Sequence, residues 1–221
     1  MKQVLSYGEP ACYIFGAGSF YGLMTRPKEG DLVIAADGGM SVLRELSIRP
    51  DIVIGDFDSG NAFEAEAFSE LSGAELLRLN VIKDYSDSAE AKNIGIRRGY
   101  RLFYFYGCTG GRLDHTLASI QDIADMSMRG MRGYLFDKGA AVTAITDGSL
   151  SFPEDMRGFI SVFAHGGEAE GVSETGLKFS LSDARLKDTF PLGLSNEFLG
   201  RNSEISVKKG TLIIYFQMGT V

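Results

Sequence analysis

The chain has 221 residues, with 22 Lys and Arg against 29 Asp and Glu, and a formal net charge of −7 at pH 7. Its length suffices for one large or two smaller packed domains, and a hydrophobic content of 44% excludes a disordered or fibrous chain. The acidic balance argues against nucleic acid as a partner, no apolar stretch approaches the roughly 20 residues of a membrane span, and the first residues lack the apolar core of a signal peptide. We therefore expect a cytoplasmic protein that binds neither nucleic acid nor membranes.

Short apolar runs alternate with stretches of helical periodicity up to about residue 147. The predicted strands cover residues 12–15, 32–36, 51–54, 75–81, 102–106, 134–136 and 142–145, and the predicted helices cover residues 39–46, 62–71, 88–98 and 115–128. Such alternation is typical of a mostly parallel sheet with helices on its faces. We predict a Rossmann-like α/β domain over residues 1–147.

The remaining residues have a different composition. Apolar and β-branched segments are broken by Gly and Ser, with little helical periodicity. The predicted strands cover residues 159–164, 172–179, 204–207 and 211–217. We predict a small all-β domain over residues 148–221.

Six aspartates follow the strands of the first half, and successive strand ends are separated by 19 to 30 residues, the length of a βα unit. They are Asp37, Asp56, Asp58, Asp84, Asp87 and Asp114. The carboxyl ends of parallel strands share one edge of a doubly wound sheet, so we expect these side chains to converge on one crevice. Carboxylates this close need a cation, and Mg²⁺ prefers oxygen ligands.

Each aspartate also has a simpler interpretation. Taken singly, Asp37, Asp84 and Asp87 are typical of helix caps or turns. Asp56 and Asp58 make a poor cap, and residues two apart in an extended segment point the same way. The joint pattern at four strand ends favours a metal site.

The segment GCTGGRLDH, residues 107–115, carries phosphate-binding chemistry. Gly110 and Gly111 let backbone amides approach an anion, the helix that follows adds partial positive charge, and Arg112 can hold a phosphate through two hydrogen bonds. His115 stands in the same segment. The earlier Gly16-Ala17-Gly18 either lines a nucleotide's phosphates or only turns the chain.

These motifs together resemble those of the thiamine pyrophosphokinase family. The matching segments are ADGG (36–39), PDIVIGDFDS (50–59), KDYSD (83–87), GGRLDH (110–115), GLKFSL (176–181) and LSNEF (194–198). The resemblance runs over nearly the whole chain. It implies an α/β domain that binds ATP and Mg²⁺, a C-terminal β-sandwich that binds thiamine, and a homodimer. It also implies transfer of the pyrophosphoryl group of ATP to the hydroxyl of thiamine, which releases AMP.

The resemblance also implies roles for individual residues. Metal ligands would be Asp56, Asp58, Asp84 and Asp87, which with Arg112 and Asp114 would form the catalytic set. Asp114 would orient or deprotonate the hydroxyl. ATP would be bound by Asp37, Gly38, Gly39, Lys83, Gly110, Gly111, Arg112 and His115. Thiamine would be bound by Phe179, Ser195 and Asn196. Without the resemblance, Phe179 would be assigned to the core of the β domain.

The sequence departs from the family pattern at three positions. Ser86 and Ala89 stand where bacterial members commonly have Thr and Glu, and Phe179 stands where Trp or Tyr is usual. Two alternative functions therefore stay open at this point. One is a Mg²⁺-dependent nucleotide pyrophosphohydrolase or another nucleotide-dependent transferase. The other is a thiamine or nucleotide sensor without turnover.

Overall fold

The computed structural model describes residues 8–57, 62–79 and 86–218, which form two compact units. The first unit contains Pro10–Ser119 and Leu135–Asp137. The second is built from residues 8–9, Ile120–Tyr134 and residues 138–218. Among the described residues, no helix has both the length and the apolar character needed to cross a membrane.

The first unit alternates strands and helices. Its strands are β1 (Ala11–Phe15), β2 (Leu32–Ala36), β3 (Ile52–Gly55), β4 (Glu75–Arg78) and β5 (Leu102–Tyr106). Its helices are α1 (Gly39–Glu45), α2 (Ala62–Ser72), α3 (Asp87–Arg97) and the first turns of α4 (Leu113–Met128). Every residue of β1, β2, β3 and β5 is buried, as expected for parallel strands covered on both faces.

The five strands pair in the order β4-β3-β2-β1-β5, and all four pairings are parallel. The chain moves outward from β1 to β4 and then returns to the other side of β1 with β5. Strand order therefore reverses between β1 and β5. In open parallel sheets such a reversal leaves a crevice at the carboxyl ends of the two strands, where ligands bind.

The second unit is mainly antiparallel. Its strands are β7 (Ala140–Thr146), β8 (Ser149–Phe152), β9 (Phe159–Thr175), β10 (Leu181–Lys187), β11 (Gly193–Glu197), β12 (Ser203–Ser206) and β13 (Lys209–Gln217), while β6 (Arg132–Asp137) is divided between the units. β9 pairs with β10, β11, β12 and β13. This strand is thus the centre of the unit.

The predicted α/β class is confirmed, and some elements differ from the prediction. The two strands predicted at 159–164 and 172–179 are one 17-residue strand, β9, which ends before Phe179. Gly166, Gly167 and Gly171 have φ values of 72°, 132° and 67°, so these glycines bend the strand and do not end it. β8, β10 and β11 were not predicted. The division at residue 147 stays a prediction.

Candidate active site

A cavity of about 280 Å³ lies at the carboxyl ends of β1, β2 and β5 in the first unit. Its walls come from five segments: residues 16–18 after β1, 36–37 at the end of β2, 86–88 at the start of α3, 107–109 after β5, and residues 111, 112, 115, 116 and 119 at the start of α4. The cavity therefore occupies the strand-order reversal between β1 and β5. The sheet topology alone predicts a ligand site at this place.

Two glycine loops form the floor of this cavity. Gly16 N–H donates to the Tyr106 carbonyl at 2.8 Å, and Gly18 N–H donates to the Gly107 carbonyl at 2.6 Å. A Cβ atom on Gly18 would lie 2.5 Å from the carbonyl oxygen of Thr109, and one on Gly107 would lie 2.5 Å from that of Gly16. The two backbones thus touch, and no side chain fits between them. Gly16-Ala17-Gly18, left open by the sequence, is part of the cavity.

Gly111 has the opposite environment. It lines the cavity, yet a Cβ atom built on it would meet nothing within 4 Å. The backbone here borders open space of the kind that a phosphate group could fill. By contrast, a Cβ atom on Gly39 would lie 1.9 Å from the Phe15 carbonyl oxygen, so that glycine serves close packing of α1 against β1.

Two helices begin at the cavity. Ser86 is the N-cap of α3 and accepts a hydrogen bond from the Ala89 amide at 3.2 Å. Residues 111–116 bring the first turn of α4 to the same wall. Helix N-termini carry unpaired N–H groups and partial positive charge, so both favour an anion in the cavity.

Arg112 lines the cavity and is held by Asp114. Its Nε donates to Asp114 Oδ1 at 3.1 Å, and its Nη2 donates to Asp114 Oδ2 at 2.5 Å. These bonds fix the plane of an exposed guanidinium group and hold the pKa of Asp114 below its ordinary value. A carboxylate with a lowered pKa accepts protons poorly. Asp114 is not part of the cavity wall and is placed to orient Arg112.

The predicted aspartates are only partly brought together. Asp37 and Asp87 line the cavity, whereas Asp56, at the end of β3, does not. Phe57 has φ 51°, a left-handed conformation. The chain is therefore not extended after Asp56, which removes the basis for expecting Asp56 and Asp58 to point the same way. Within the described parts of the chain, no three His, Cys, Asp or Glu side chains gather into a metal-binding group.

The other predicted ATP-site residues are placed as follows. Gly111, Arg112 and His115 line the cavity, while Gly38, Gly39 and Gly110 neighbour it in sequence without lining it. Asp58, Lys83 and Asp84 lie outside the described residues. Sequence reasoning missed Ser86, Ser88, Thr116 and Ser119 as cavity residues, which follow from the two helix starts.

The residues predicted to bind thiamine border two cavities in the second unit. Phe179 and Asn196 line one of about 260 Å³, together with Glu174, Leu181 and residues 192–194. Ser195 has φ 62° and lines a different cavity of about 530 Å³. Phe179 is 61% exposed, so it is not a core aromatic.

Asn196 is fully engaged by its own chain. Its Oδ1 accepts the Phe179 amide at 2.9 Å, and its Nδ2 donates to the Phe179 carbonyl at 2.6 Å. Nδ2 also donates to Glu174 Oε2 at 2.7 Å. This buried amide therefore fixes the backbone of Phe179 and is positioned by Glu174. Sequence reasoning missed Glu174.

Comparisons with known proteins match two regions of the chain to two family models. Residues 26–135 match the model of "Thiamin pyrophosphokinase, catalytic domain", and residues 149–212 match "Thiamin pyrophosphokinase, vitamin B1 binding domain". The thiamine pyrophosphokinase of Bacillus subtilis (strain 168) is 27% identical over 187 residues, which are 84% of this chain and 87% of that protein.

Solved structures share the fold. The crystal structure of thiamine pyrophosphokinase from Bacillus subtilis has a TM-score of 0.84 at 24% identity, covering 95% of this chain and 100% of that one. The yeast thiamin pyrophosphokinase structure has a TM-score of 0.75 at 15% identity, covering 98% and 89%. With both family models matched in order over more than three quarters of its length, this chain belongs to the thiamine pyrophosphokinase family.

Proposed function

We infer that this chain transfers the pyrophosphoryl group of ATP to the hydroxyl of thiamine, giving thiamine pyrophosphate and AMP. The observation that carries this inference is the presence of both family regions, one catalytic and one for vitamin B1, in a single chain. In the reaction the hydroxyl oxygen of thiamine bonds to the β-phosphorus of ATP and loses its proton. The bond between that phosphorus and the oxygen bridging to the α-phosphate breaks, and AMP leaves.

The nucleotide phosphates bind in the cavity of the first unit. The two touching glycine loops and the open space beside Gly111 leave room for an anion, and the N-termini of α3 and α4 supply backbone N–H groups to it. Arg112 adds a charged donor, and its pairing with Asp114 orients it before substrate arrives. Phosphoryl chemistry depends mainly on positioning and charge stabilisation, which are what this arrangement provides.

Mg²⁺ fits the donor set of this cavity. Asp37 and Asp87 are oxygen ligands on the wall that also carries the anion-binding groups, and Mg²⁺ is ordinarily held by one or two carboxylates together with substrate phosphates. Asp37 and Asp87 would hold it, with the sequence-predicted Asp56, Asp58 and Asp84 as further candidates. When bound, the ion would neutralise phosphate charge that builds up during transfer.

Thiamine binds in the second unit at Phe179. The exposed ring offers a stacking surface, and the two bonds from Asn196 hold its backbone in place. Asn196 is thus a positioning residue, because its polar atoms are already used. Ser195 borders a separate cavity and contacts thiamine only if the ligand reaches across Leu194, which lines both cavities.

We also propose the finer architecture that the sequence predicted. Residues 1–147 form a Rossmann-like domain and residues 148–221 form a β-sandwich. The parallel order β4-β3-β2-β1-β5 and the antiparallel pairing around β9 support this proposal. A homodimer in the cytoplasm remains part of the proposal, supported by the family resemblance.

A turnover assay tests the function against its alternatives. Purified protein with ATP, Mg²⁺ and thiamine should form AMP and thiamine pyrophosphate in equal amounts, and no AMP should form without thiamine. Release of AMP or phosphate that ignores thiamine would instead indicate a pyrophosphohydrolase. Binding of thiamine by calorimetry, with no product over hours, would indicate a sensor.

The assignment of substrates to the two units is tested by one variant in the second unit. Phe179→Ala should raise the KM for thiamine at least tenfold through loss of ring stacking, while the KM for ATP stays within twofold. The matched control is Phe190→Ala, another largely exposed Phe of the same unit. An effect of Phe179→Ala on ATP alone would contradict the assignment.

A further inference from the structure

Glu174 is a carboxylate in an apolar position. It lies in β9, where its cross-strand neighbours are Leu181 of β10 and Ile205 of β12. Its side chain is only 1% exposed. A buried ionised group is costly unless hydrogen bonds and charges compensate it, so a well-packed sheet would not place Glu here for stability.

Only one of its two oxygens has a partner. Oε2 accepts a hydrogen bond from Asn196 Nδ2 at 2.7 Å. Oε1 is buried and finds no partner among the described residues. Burial raises the pKa of Glu174, as expected for a carboxylate that lacks compensation. An N–H donor placed at Oε1 would lower that pKa again and remove the cost.

The place where such a donor can come from is the cavity of about 260 Å³ that Glu174 shares with Phe179 and Leu181. Its other walls are residues 192–194, which are Leu-Gly-Leu, and Asn196, whose amide is already engaged. An apolar chamber with one aromatic ring and one buried acceptor fits a flat heteroaromatic ring that carries an amino group.

The charges around the cavity suit a monocation. Lys178 donates to Glu197 at 2.9 Å, and its ammonium group lies 5.6 Å from the centre of the Phe179 ring. This pair is neutral in sum, so an ionised Glu174 would be the one uncompensated charge among these three groups. Thiamine carries one positive charge.

We propose that Glu174 is a specificity-determining residue that accepts a hydrogen bond, through Oε1, from the amino group on the pyrimidine ring of thiamine. This proposal rests on the proposed function. The thiazolium ring cannot take this role, because its quaternary nitrogen has no N–H to donate. The pyrimidine amino group is the one N–H donor of thiamine, and the pyrimidine ring is flat enough to pack against Phe179.

The substitution Glu174→Gln makes a directional test. Asn196 Nδ2 needs an acceptor, so the amide oxygen of the new Gln should face Asn196 and its NH₂ group should take the place of Oε1. The amino group of thiamine would then face the NH₂ group of Gln, and two donors cannot form a hydrogen bond. Oxythiamine carries oxygen in place of the amino group, and this oxygen could accept a hydrogen bond from the NH₂ group of Gln.

Calorimetry of thiamine and oxythiamine binding measures the outcome. The wild-type protein should bind thiamine about 100-fold more tightly than oxythiamine. Glu174→Gln should bind thiamine at least tenfold more weakly and oxythiamine more tightly than wild type, so that the ratio shifts by more than 100-fold. Glu170→Gln is the matched control, since it makes the same change of charge on the same strand at a half-buried, ion-paired position, and it should leave both affinities within twofold.

Several results would overturn the proposal. A folded Glu174→Gln with wild-type thiamine affinity would do so, as would an equal loss of both ligands, which would indicate a purely structural role. The preference for thiamine over oxythiamine can be measured on the wild-type protein alone. Equal affinity of the wild type for the two ligands would therefore also refute the proposal. Failure of the proposed function would appear differently, as absence of thiamine pyrophosphate from wild-type protein supplied with ATP and Mg²⁺.

Discussion

The contact between the two glycine loops makes Gly18→Ala the sharpest test of the nucleotide site. The new Cβ atom would lie 2.5 Å from the Thr109 carbonyl oxygen and 2.7 Å from that of Gly107, where an ordinary contact begins at 3.4 Å. The loops must therefore separate by about 1 Å, which is the size of misplacement that can lower catalysis roughly 100-fold. Overpacking of this kind costs about 1–3 kcal/mol of folding free energy.

We expect Gly18→Ala to lower kcat/KM for ATP by about 10- to 100-fold and Tm by about 2–12 °C, at roughly 2–4 °C per kcal/mol for a chain of this length. Thiamine affinity, measured by calorimetry, should not change. Gly111→Ala has open space for its Cβ atom, so it should keep the wild-type Tm and weaken only ATP binding. Gly148→Ala, at an ordinary 3.4 Å contact in the second unit, should change neither. Wild-type ATP kinetics and Tm in Gly18→Ala would refute the account of the loops.

Three further predictions concern charged groups. Arg112→Ala should lower kcat at least 100-fold at saturating thiamine. Arg112→Lys should keep only part of the wild-type kcat, because an ammonium group cannot reproduce the planar pair of donors of a guanidinium group. A wild-type kcat for Arg112→Lys in a steady-state assay would contradict this. Asp114→Asn should lower kcat about tenfold with little change in the bell-shaped pH–rate profile, since Asp114 orients Arg112. Loss of the acidic limb of that profile would instead identify Asp114 as the proton acceptor. Glu174→Gln should raise Tm by a few degrees at pH 8. Burial raises the pKa of the folded carboxyl above its ordinary 4.5, so the ionised group destabilises the fold at high pH. The gain in Tm should therefore vanish below pH 4.5. A gain independent of pH in thermal scans would show that ionisation is not the cause.

The sequence was sufficient for the first unit because its signals are local. The buried parallel strands are short apolar runs, and β2, β3 and β5 are each followed by a helix, so these elements could be predicted in chain order. The phosphate-binding character of the start of α4 could also be predicted, since Gly110 and Arg112 stand just before the helix. The mutual approach of Gly18 and Gly107 was not predictable, because the two residues are 89 positions apart in the sequence and meet only when β1 pairs with β5.

The strands of the second unit were harder to predict, because a glycine can either end a strand or bend it. Gly166, Gly167 and Gly171 read as strand ends, yet they bend a continuous β9 through positive φ values. Glu174 did leave a signal. It follows Val172 by two residues on a strand, which places the acid on the same buried face as the valine. That Asn196 binds the Phe179 backbone, by contrast, depends on the antiparallel bridge between Leu177 and Phe198, which no local pattern specifies.

The measurement that tests the central claim most directly follows the label of [γ-³²P]ATP in the presence of thiamine and Mg²⁺. Transfer of the pyrophosphoryl group as one unit predicts that all consumed label appears in thiamine pyrophosphate, with one AMP formed per labelled product and no ADP. Label in free phosphate or pyrophosphate without thiamine pyrophosphate, or ADP in place of AMP, would contradict it.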